Sequence, residues 1–511
     1  MEETRSLLYK FKPISDRLPA VTRPEGHVHF RTKMMWVVVI LLIYFVMTNV
    51  YIYGLDHEKT LDLFAQYRTI MAGASGSLLQ LGIAPIVTAS IIMQLFVGAK
   101  IIKLDLTKRE DKECYQSILK LLVIVMILFE AVPQVFGYLV PSDKFVSAAG
   151  GMTGARLLII LQLFIGSYIV FMMDEVVSKW GIGSGISLFI AAGVSQSLFT
   201  GTLNWNPVTA GAPVGFENMP AGTIPKAIYI LSNTNAAEMA NGGYDILLLG
   251  EPNPVIALVG TILIFFVVAY MESTRIELPL SHGSARGARG RYPIKLIYAS
   301  NIPVILMAAL LANVSMFGLL FYSNPMLSGI PFLGGNELLG YYPEGSTQAA
   351  SGLAWYLSAP TGVTSWLLPI LDPAMDPIHG PIQNLMRVII YFTVMVLGSI
   401  LFAKFWVSTT NMGPESVAKQ IQKSGMQIPG FRRDPRVLKR VLERYIPTIT
   451  ILSGAIVGAL AAGADLIGTT GHATGTGVLL TVGILIQFYE AMGREQMMEM
   501  HPVMRGFFDS D

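Results

Sequence analysis

The chain has 511 residues, of which 52% are hydrophobic and only 14% charged, against roughly 25% charged in soluble domains. A mean hydropathy of +0.54 with a net charge of +2 excludes an ordinary soluble domain and any general attraction to nucleic acid. In chain order, residues 1–33 are polar and lack an apolar signal core, so no cleavable signal peptide is expected. About ten apolar runs follow, from Met34 to Ile52 and then over 78–102, 116–139, 155–176, 184–201, 254–273, 294–322, 385–407, 447–467 and 472–492. A bilayer core takes about 20 apolar helical residues. The fold class expected is therefore an all-α integral membrane protein with ten transmembrane helices.

The charges between the runs orient them. Thirty of the 36 Lys and Arg fall on one set of alternate segments, including 1–33, 100–113, 275–295 and 419–444. The other set holds only Lys59, Arg68, Lys144, Arg156, Lys226 and Arg387. The positive-inside rule then puts both termini in the cytoplasm of a multi-pass protein of the cell membrane. The expected division is a cytosolic segment 1–33, an N-terminal half 34–201, an external loop 202–253, a C-terminal half 254–492 and a cytosolic tail 493–511. Within the C-terminal half, loops 274–293 and 408–446 are cytosolic and loop 323–384 is external. The external loops are rich in Gly, Pro, Asn and Ser, which predicts irregular, solvated chain. The single cysteine, Cys114, excludes an intramolecular disulfide.

One stretch breaks the pattern. Residues 60–80, TLDLFAQYRTIMAGASGSLLQ, are too polar and too Gly/Ser-rich for a lipid-facing helix, yet they lead into an apolar run without a basic loop. They form either an external loop or a short re-entrant helix covered by protein. Prolines stand in the second run of each five-span half, in 82-GIAPIV-87 and 301-NIPVI-305. Interrupted helices at matching positions point to two pseudo-symmetric halves with a site between them.

Four segments carry a family resemblance: 82-GIAPIVTASIIMQLF-96, 181-GIGSGISLFIAAGVSQ-196, 291-RYPIKLIYASNIPVIL-306 and 475-GTGVLLTV-482. The chain resembles the SecY family, the pore-forming subunit of the Sec protein translocon, from 22-TRPEGHVHFRTK-33 to 502-PVMRGFF-508. The segment 271-MESTRIELPL-280 is similar to archaeal and eukaryotic members. The long external loops and the Gly/Ser-rich 60–80 stretch depart from the family pattern. The resemblance implies a protein-conducting channel that passes unfolded chains across the membrane and releases hydrophobic segments sideways into lipid. It also implies a pore ring of Ile83, Val87, Ile186, Ile190, Ile305 and Leu480, expected near mid-helix. Bulky aliphatic side chains at a waist dewet when idle and yield around a passing chain. Any one such residue, taken alone, is as readily a packing residue.

The same resemblance makes 62–78 a plug helix closing the external side of the ring. Ile70, Met71, Ala72, Gly73, Ala74 and Ser75 are its candidates, small side chains that nest in a funnel and leave it readily. A lateral gate between helices 2–3 and 7–8 would carry Thr88, Gln94, Glu130 and Asn301. Glu130 also stands out by itself. A carboxylate at depth costs about 2.5–3.5 kcal/mol on insertion scales unless paired, so it is either functional or a protonated packing residue. Asp465 is expected at the interface. Arg275, Arg286, Arg289 and Arg291, with Arg432, Arg433 and Arg436, lie in the two cytosolic loops that dock partners in the family. Such clusters hold RNA phosphates without base specificity.

The partners implied are SecE-type and β-type single-span subunits in a heterotrimer, the ribosome through its rRNA and proteins, signal peptides, nascent chains and membrane lipid. No small-molecule substrate, cofactor, metal or catalytic activity is expected. Gly181, Gly183 and Gly185 open a membrane helix and are no dinucleotide fingerprint. No Walker loop occurs, the seven His lack metal spacing, and 313-NVS-315 lies inside an apolar run. The rival reading is a secondary transporter of small solutes or ions, which also uses inverted repeats. It is disfavoured by the expectation that Glu130 is the one ionisable group deep in a span.

Overall fold

The structure, a computed structural model, describes residues 17–26, 28–56, 71–98, 108–209, 218–282, 289–323, 336–343, 349–410, 412–423, 426–427, 435–471 and 473–500, with isolated positions at 13, 101–102, 104 and 215. Ten long helices make up the bundle: α1 (Phe30–Thr48), α2 (Ala84–Gly98), α3 (Arg109–Gly137), α4 (Met152–Trp180) and α5 (Gly185–Leu203), then α6 (Val255–Ser273), α7 (Ile302–Ser323), α8 (Pro381–Thr409), α9 (Pro435–Ile467) and α10 (Gly475–Met500). Nine are long and apolar enough to cross a bilayer, and α2 is apolar but shorter. Their outer faces carry exposed large side chains such as Leu42, Val46, Leu157, Phe266 and Ile382. In lipid such faces need no cover, and burial concentrates where helices meet.

The two halves repeat one neighbour pattern. In the first, α2 packs on α3, α3 on α4, α4 on α5, and α1 on both α4 and α5. In the second, α7 packs on α8, α8 on α9, α9 on α10, and α6 on both α9 and α10. The halves meet along a front seam, where α2 touches α7 and α8 and α3 touches α7, and at the back, where α5 and α1 touch α10. The tightest pair is α8 with α9. Cβ atoms added at Gly454 and Gly458 would lie 2.8 and 2.9 Å from α8 backbone. Small residues let membrane helices approach this closely.

The prolines do not interrupt their helices as expected. Pro85 and Pro303 each occupy the second position of α2 and α7, where a missing N–H removes no helical hydrogen bond. The two ends correspond in another way. Each helix is entered through turns with a residue of positive φ just before it, Gly82 at +54° and Ser300 at +60°.

In their described residues the two loops expected to be external are more ordered than their composition predicts. Met219, Ile230 and Met239 form a small core under the helix Thr223–Asn233. Buried Lys226 closes that loop, with Nζ donating to the carbonyls of Gly250 (2.5 Å) and Pro252 (3.2 Å). Burial holds its pKa below the usual lysine value, partly offset by Glu251. In the second loop Trp366 donates from Nε1 to the Leu466 carbonyl at 2.9 Å, docking the loop on the end of α9. A few apolar anchors therefore outweigh many turn-forming residues.

On the side expected to be cytosolic, β1 (Arg275–His282) pairs antiparallel with β2 (Arg289–Lys295), and β3 (Met426–Gln427) adds to β1 through Ser281 and His282. The all-α bundle thus carries one small sheet, which joins the two long basic loops.

Candidate functional site

Five of the six ring candidates are buried in one continuous apolar cluster: Ile83 (0% exposed), Val87 (3%), Ile190 (0%), Ile305 (6%) and Leu480 (0%). Ile186 is half-buried against the same cluster. Four helices from both halves supply them, and none faces outward. Their position along the helices differs from expectation. Ile83 precedes α2, and the other five lie in the first two turns of α2, α5, α7 and α10, not at mid-helix. The runs 78–102 and 294–322 began well before α2 and α7, and α10 extends past the run 472–492 to Met500, whereas Ile186 and Ile190 stood near the start of their run already.

The expected plug stretch 62–78 is described only from residue 71; Ile70 lies outside the described residues. Residues 71–83 run as turns, so no plug helix extends through 71–78. Met71 and Ala72 are buried, Gly73 and Ala74 half-buried, and Ser75 exposed. The segment is seated by specific bonds. The Ile83 amide donates to the Met71 carbonyl at 2.8 Å, and the Tyr44 hydroxyl to the Ala72 carbonyl at 3.1 Å. Tyr44 itself stacks on Phe189 of α5, with centroids 5.1 Å apart. Leu78 donates to the Val50 carbonyl, and a Cβ at Gly166 of α4 would collide with the Leu78 carbonyl. The turn before the ring is thereby fixed to α1, α4 and α5 of the N-terminal half.

At the front seam, Thr88 of α2 donates from Oγ1 to Glu130 Oε1 of α3 at 2.8 Å and also to the Ala84 carbonyl at 2.9 Å. Asn313 of α7 donates from Nδ2 to Thr88 Oγ1 at 3.1 Å. A polar bridge therefore spans the seam, joining two helices of one half to one of the other. Phe129 and Phe317 meet across it at 5.5 Å. Sequence reasoning found Thr88 and Glu130 but set Asn313 aside as part of an unused sequon-like triplet. A lone Asn about three turns into an apolar helix was the available signal.

The other two gate candidates behave differently. Gln94 is buried in α2 with Oε1 unpartnered, one turn before Gly98, which lies against Phe405 of α8. Asn301 precedes α7 and donates to Glu272 Oε1 of α6 at 2.8 Å. It stands twelve residues from Asn313, about 18 Å along a helix, and so is not part of the bridge. It packs on α10, where a Cβ at Gly483 would strike its amide.

The buried acids are also more numerous than expected. Asp465 is 4% exposed, buried against protein in the last turn of α9. It accepts from the Tyr391 hydroxyl and the Thr476 hydroxyl, each at 2.6 Å, and from the Thr476 amide at 2.9 Å, joining α8, α9 and α10. Glu272 is 3% exposed. Asp174 Oδ1 accepts from the Ile186 amide at 2.9 Å, capping α5. Each acid was isolated in sequence because its partners come from other helices.

In the docking loops, Arg275 is bonded inside the protein: its guanidinium lies 3.2 Å from Glu490 of α10, which also holds Lys295 at 2.6 Å. Arg286, Arg432 and Arg433 lie outside the described residues. Arg289 and Arg291 are placed in β2 and Arg436 at the start of α9 by their backbone. Lys439 and Lys419 both bond Glu415, at 3.1 and 3.3 Å, and hold its carboxyl below the usual range. These lysines are neutralised locally by Glu415. Among the described residues no group of His, Cys, Asp and Glu could hold a metal ion.

An apolar cluster supplied by both halves and a polar bridge across the seam are the geometry against which the comparisons with known proteins are set. The SecY family model matches residues 77–489, and the model for the plug domain of Sec61p matches 42–76. The chain belongs to the SecY family. The protein translocase subunit SecY of Archaeoglobus fulgidus is 46% identical over 505 residues, 98% of each chain. Two solved structures are similar, each 38% identical over 96% of this chain and 98% of theirs. One is described as a protein conducting channel, with a TM-score of 0.76. The other is Sec61 in the canine ribosome–channel complex from the endoplasmic reticulum, with a TM-score of 0.74. The two SecY-family matches divide at residue 77, inside the turn segment that leads to the ring.

Proposed function

We propose that this chain is the central subunit of a protein-conducting channel that moves unfolded polypeptides across the membrane and releases hydrophobic segments laterally into the bilayer. The observation that carries this reading is the single buried aliphatic cluster to which both halves contribute Ile83, Val87, Ile186, Ile190, Ile305 and Leu480. Such a waist needs no binding groups, since it acts by excluding water. The seam of α2 and α3 against α7 and α8 is the exit to lipid. Leu, Ile, Phe and Val each favour the bilayer centre by about 0.3–0.6 kcal/mol, so an apolar segment leaves once given access. Chemistry is not required, and the subunit acts without catalysis.

The halves 34–201 and 254–492 move as the two jaws, joined by the loop 202–253. The plug is the 62–78 stretch, resting on the external side of the waist. Both termini and the small sheet face the cytoplasm of the cell membrane, as the charge distribution directs. Arg286, Arg289, Arg291, Arg432, Arg433 and Arg436 offer a basic surface to ribosomal RNA and proteins, while Arg275 positions the sheet. Single-span SecE-type and β-type subunits complete a heterotrimer. The transporter reading gains nothing from the buried acids Glu272 and Asp465, which stand in the last turns of α6 and α9 and not deep in a span. Those acids are each occupied by neighbouring helices, and the matched relatives are protein translocases and channels, so nothing supports a solute carrier.

The test is the paired variant Ile186→Ser with Ile190→Ser, reconstituted with its small subunits. Resting ion conductance is expected to rise at least about tenfold, because hydroxyls hydrate the waist. Wild-type conductance in a correctly assembled complex would remove these residues from the ring.

A further inference from the structure

We propose that His379 is a proton-operated clasp, fastening the external loop 349–380 to α8 while its ring is doubly protonated and loosening that loop when it becomes neutral. His379 stands two residues before α8 begins, with its side chain 11% exposed. Nδ1 lies 3.0 Å from Asp376 Oδ2, and Nε2 faces the Ala350 carbonyl oxygen. Both partners are acceptors. An imidazolium donates to both, whereas a neutral ring has one N–H and must turn a lone pair towards the other acceptor. The same histidine stacks on Trp355, with centroids 4.0 Å apart and planes inclined by 9°. A cationic ring gains from that aromatic face, and a neutral ring gains less.

The surrounding groups suit the charged form. Among the described residues the charged groups facing this cluster are Asp376, from the loop, and Arg387, from α8. Arg387 lies 4.8 Å from the Trp355 ring and donates to the Ser358 hydroxyl at 2.8 Å. Asp376 also accepts from the amides of Ile378 (3.2 Å) and His379 (3.1 Å) and from Asn384 Nδ2 (3.3 Å). Burial alone would raise the Asp376 pKa, but these bonds and the histidine hold it below its ordinary 3.8. The carboxylate therefore stays charged across the range in which imidazoles exchange their proton, about pH 5–8. The sign follows. The clasp is fastened while Asp376 is ionised and the ring carries both protons, and it loosens as rising pH removes one of them.

Because α8 forms one wall of the front seam, the clasp would couple acidity outside the membrane to the freedom of a gate helix. That consequence rests on the channel reading; the clasp itself does not. The test is amide hydrogen exchange over residues 350–358 in the assembled complex in lipid nanodiscs, from pH 5 to 8.5, corrected for intrinsic rates. Wild type should lose protection about tenfold across the imidazole range. His379→Gln should show no step, and Asp376→Asn should move the step to lower pH. Protection independent of pH in wild type, or a step that persists in His379→Gln, overturns the proposal. Should His379→Gln fail to assemble, the wild-type profile and Asp376→Asn decide it: an unmoved midpoint overturns it equally.

Discussion

Glu130 is 2% exposed and bonds Thr88, which in turn receives Asn313 from the opposite half. Closing the seam takes this carboxylate away from water, and opening returns it. Replacing a buried polar arrangement by well-packed apolar side chains is often stabilising, by about 1–4 kcal/mol. Glu130→Leu should therefore favour the closed seam, while Thr88 keeps its bonds to Ala84 and Asn313. A translocation substrate with a marginal signal would then be used less, by roughly tenfold for each 1.4 kcal/mol of added closed-state stability. A series of signals graded in Leu and Ala content measures it, and the threshold should move towards more Leu. Glu130→Gln, which retains an acceptor for Thr88, should move it less. An unchanged threshold in Glu130→Leu would return this residue to simple packing.

Above single residues, the proposed channel rests closed on the turn 71–83. This turn lacks helical hydrogen bonding and is held by the Tyr44 hydroxyl of α1, by backbone bonds with Val50 and Ile52 just after α1, and by close approach to α4. Gly166 tests that approach with one atom. Alanine improves helix propensity by about 1 kcal/mol over glycine, so any loss in Gly166→Ala must come from the collision of its Cβ with the Leu78 carbonyl. Overpacking of this kind costs about 1–3 kcal/mol. The expected result is an unseated turn, seen as faster amide exchange at Ile83 and Leu78 and as raised resting ion conductance. Gly463→Ala in α9, where a Cβ would meet nothing within 4 Å, is the matched control and should be silent. Equal behaviour of the two variants would show that the turn is not wedged by α4.

At the scale of the molecule, what the sequence revealed and what it hid divide along physical lines. Spans were legible because lipid imposes a length and a polarity on each helix separately. Ile190 and Leu480 could be placed through the family resemblance, and their burial is consistent with it. Asn313 was set aside, and the partners of Asp465 and Glu272 went unseen, because each finds them on helices far away in sequence, where no local pattern signals them. The same holds for the back of the bundle, where α10 connects both halves. Lys33, at the start of α1, lies 2.7 Å from Glu495 of α10, with the two side chains 19% and 23% exposed. If the front seam opens by the halves turning about this back contact, the pair resists the motion. Exposed ion pairs contribute about 0.2–1 kcal/mol, and charge reversal adds repulsion. Lys33→Glu and Glu495→Lys should each raise translocation of weak-signal substrates about two- to fivefold. The double exchange restores opposite charges and should return activity towards wild type, an interaction that a double-mutant cycle isolates. The single effects should shrink as salt is added. Strictly additive effects would mean that the two side chains act apart and that the back of the bundle is held by apolar packing alone.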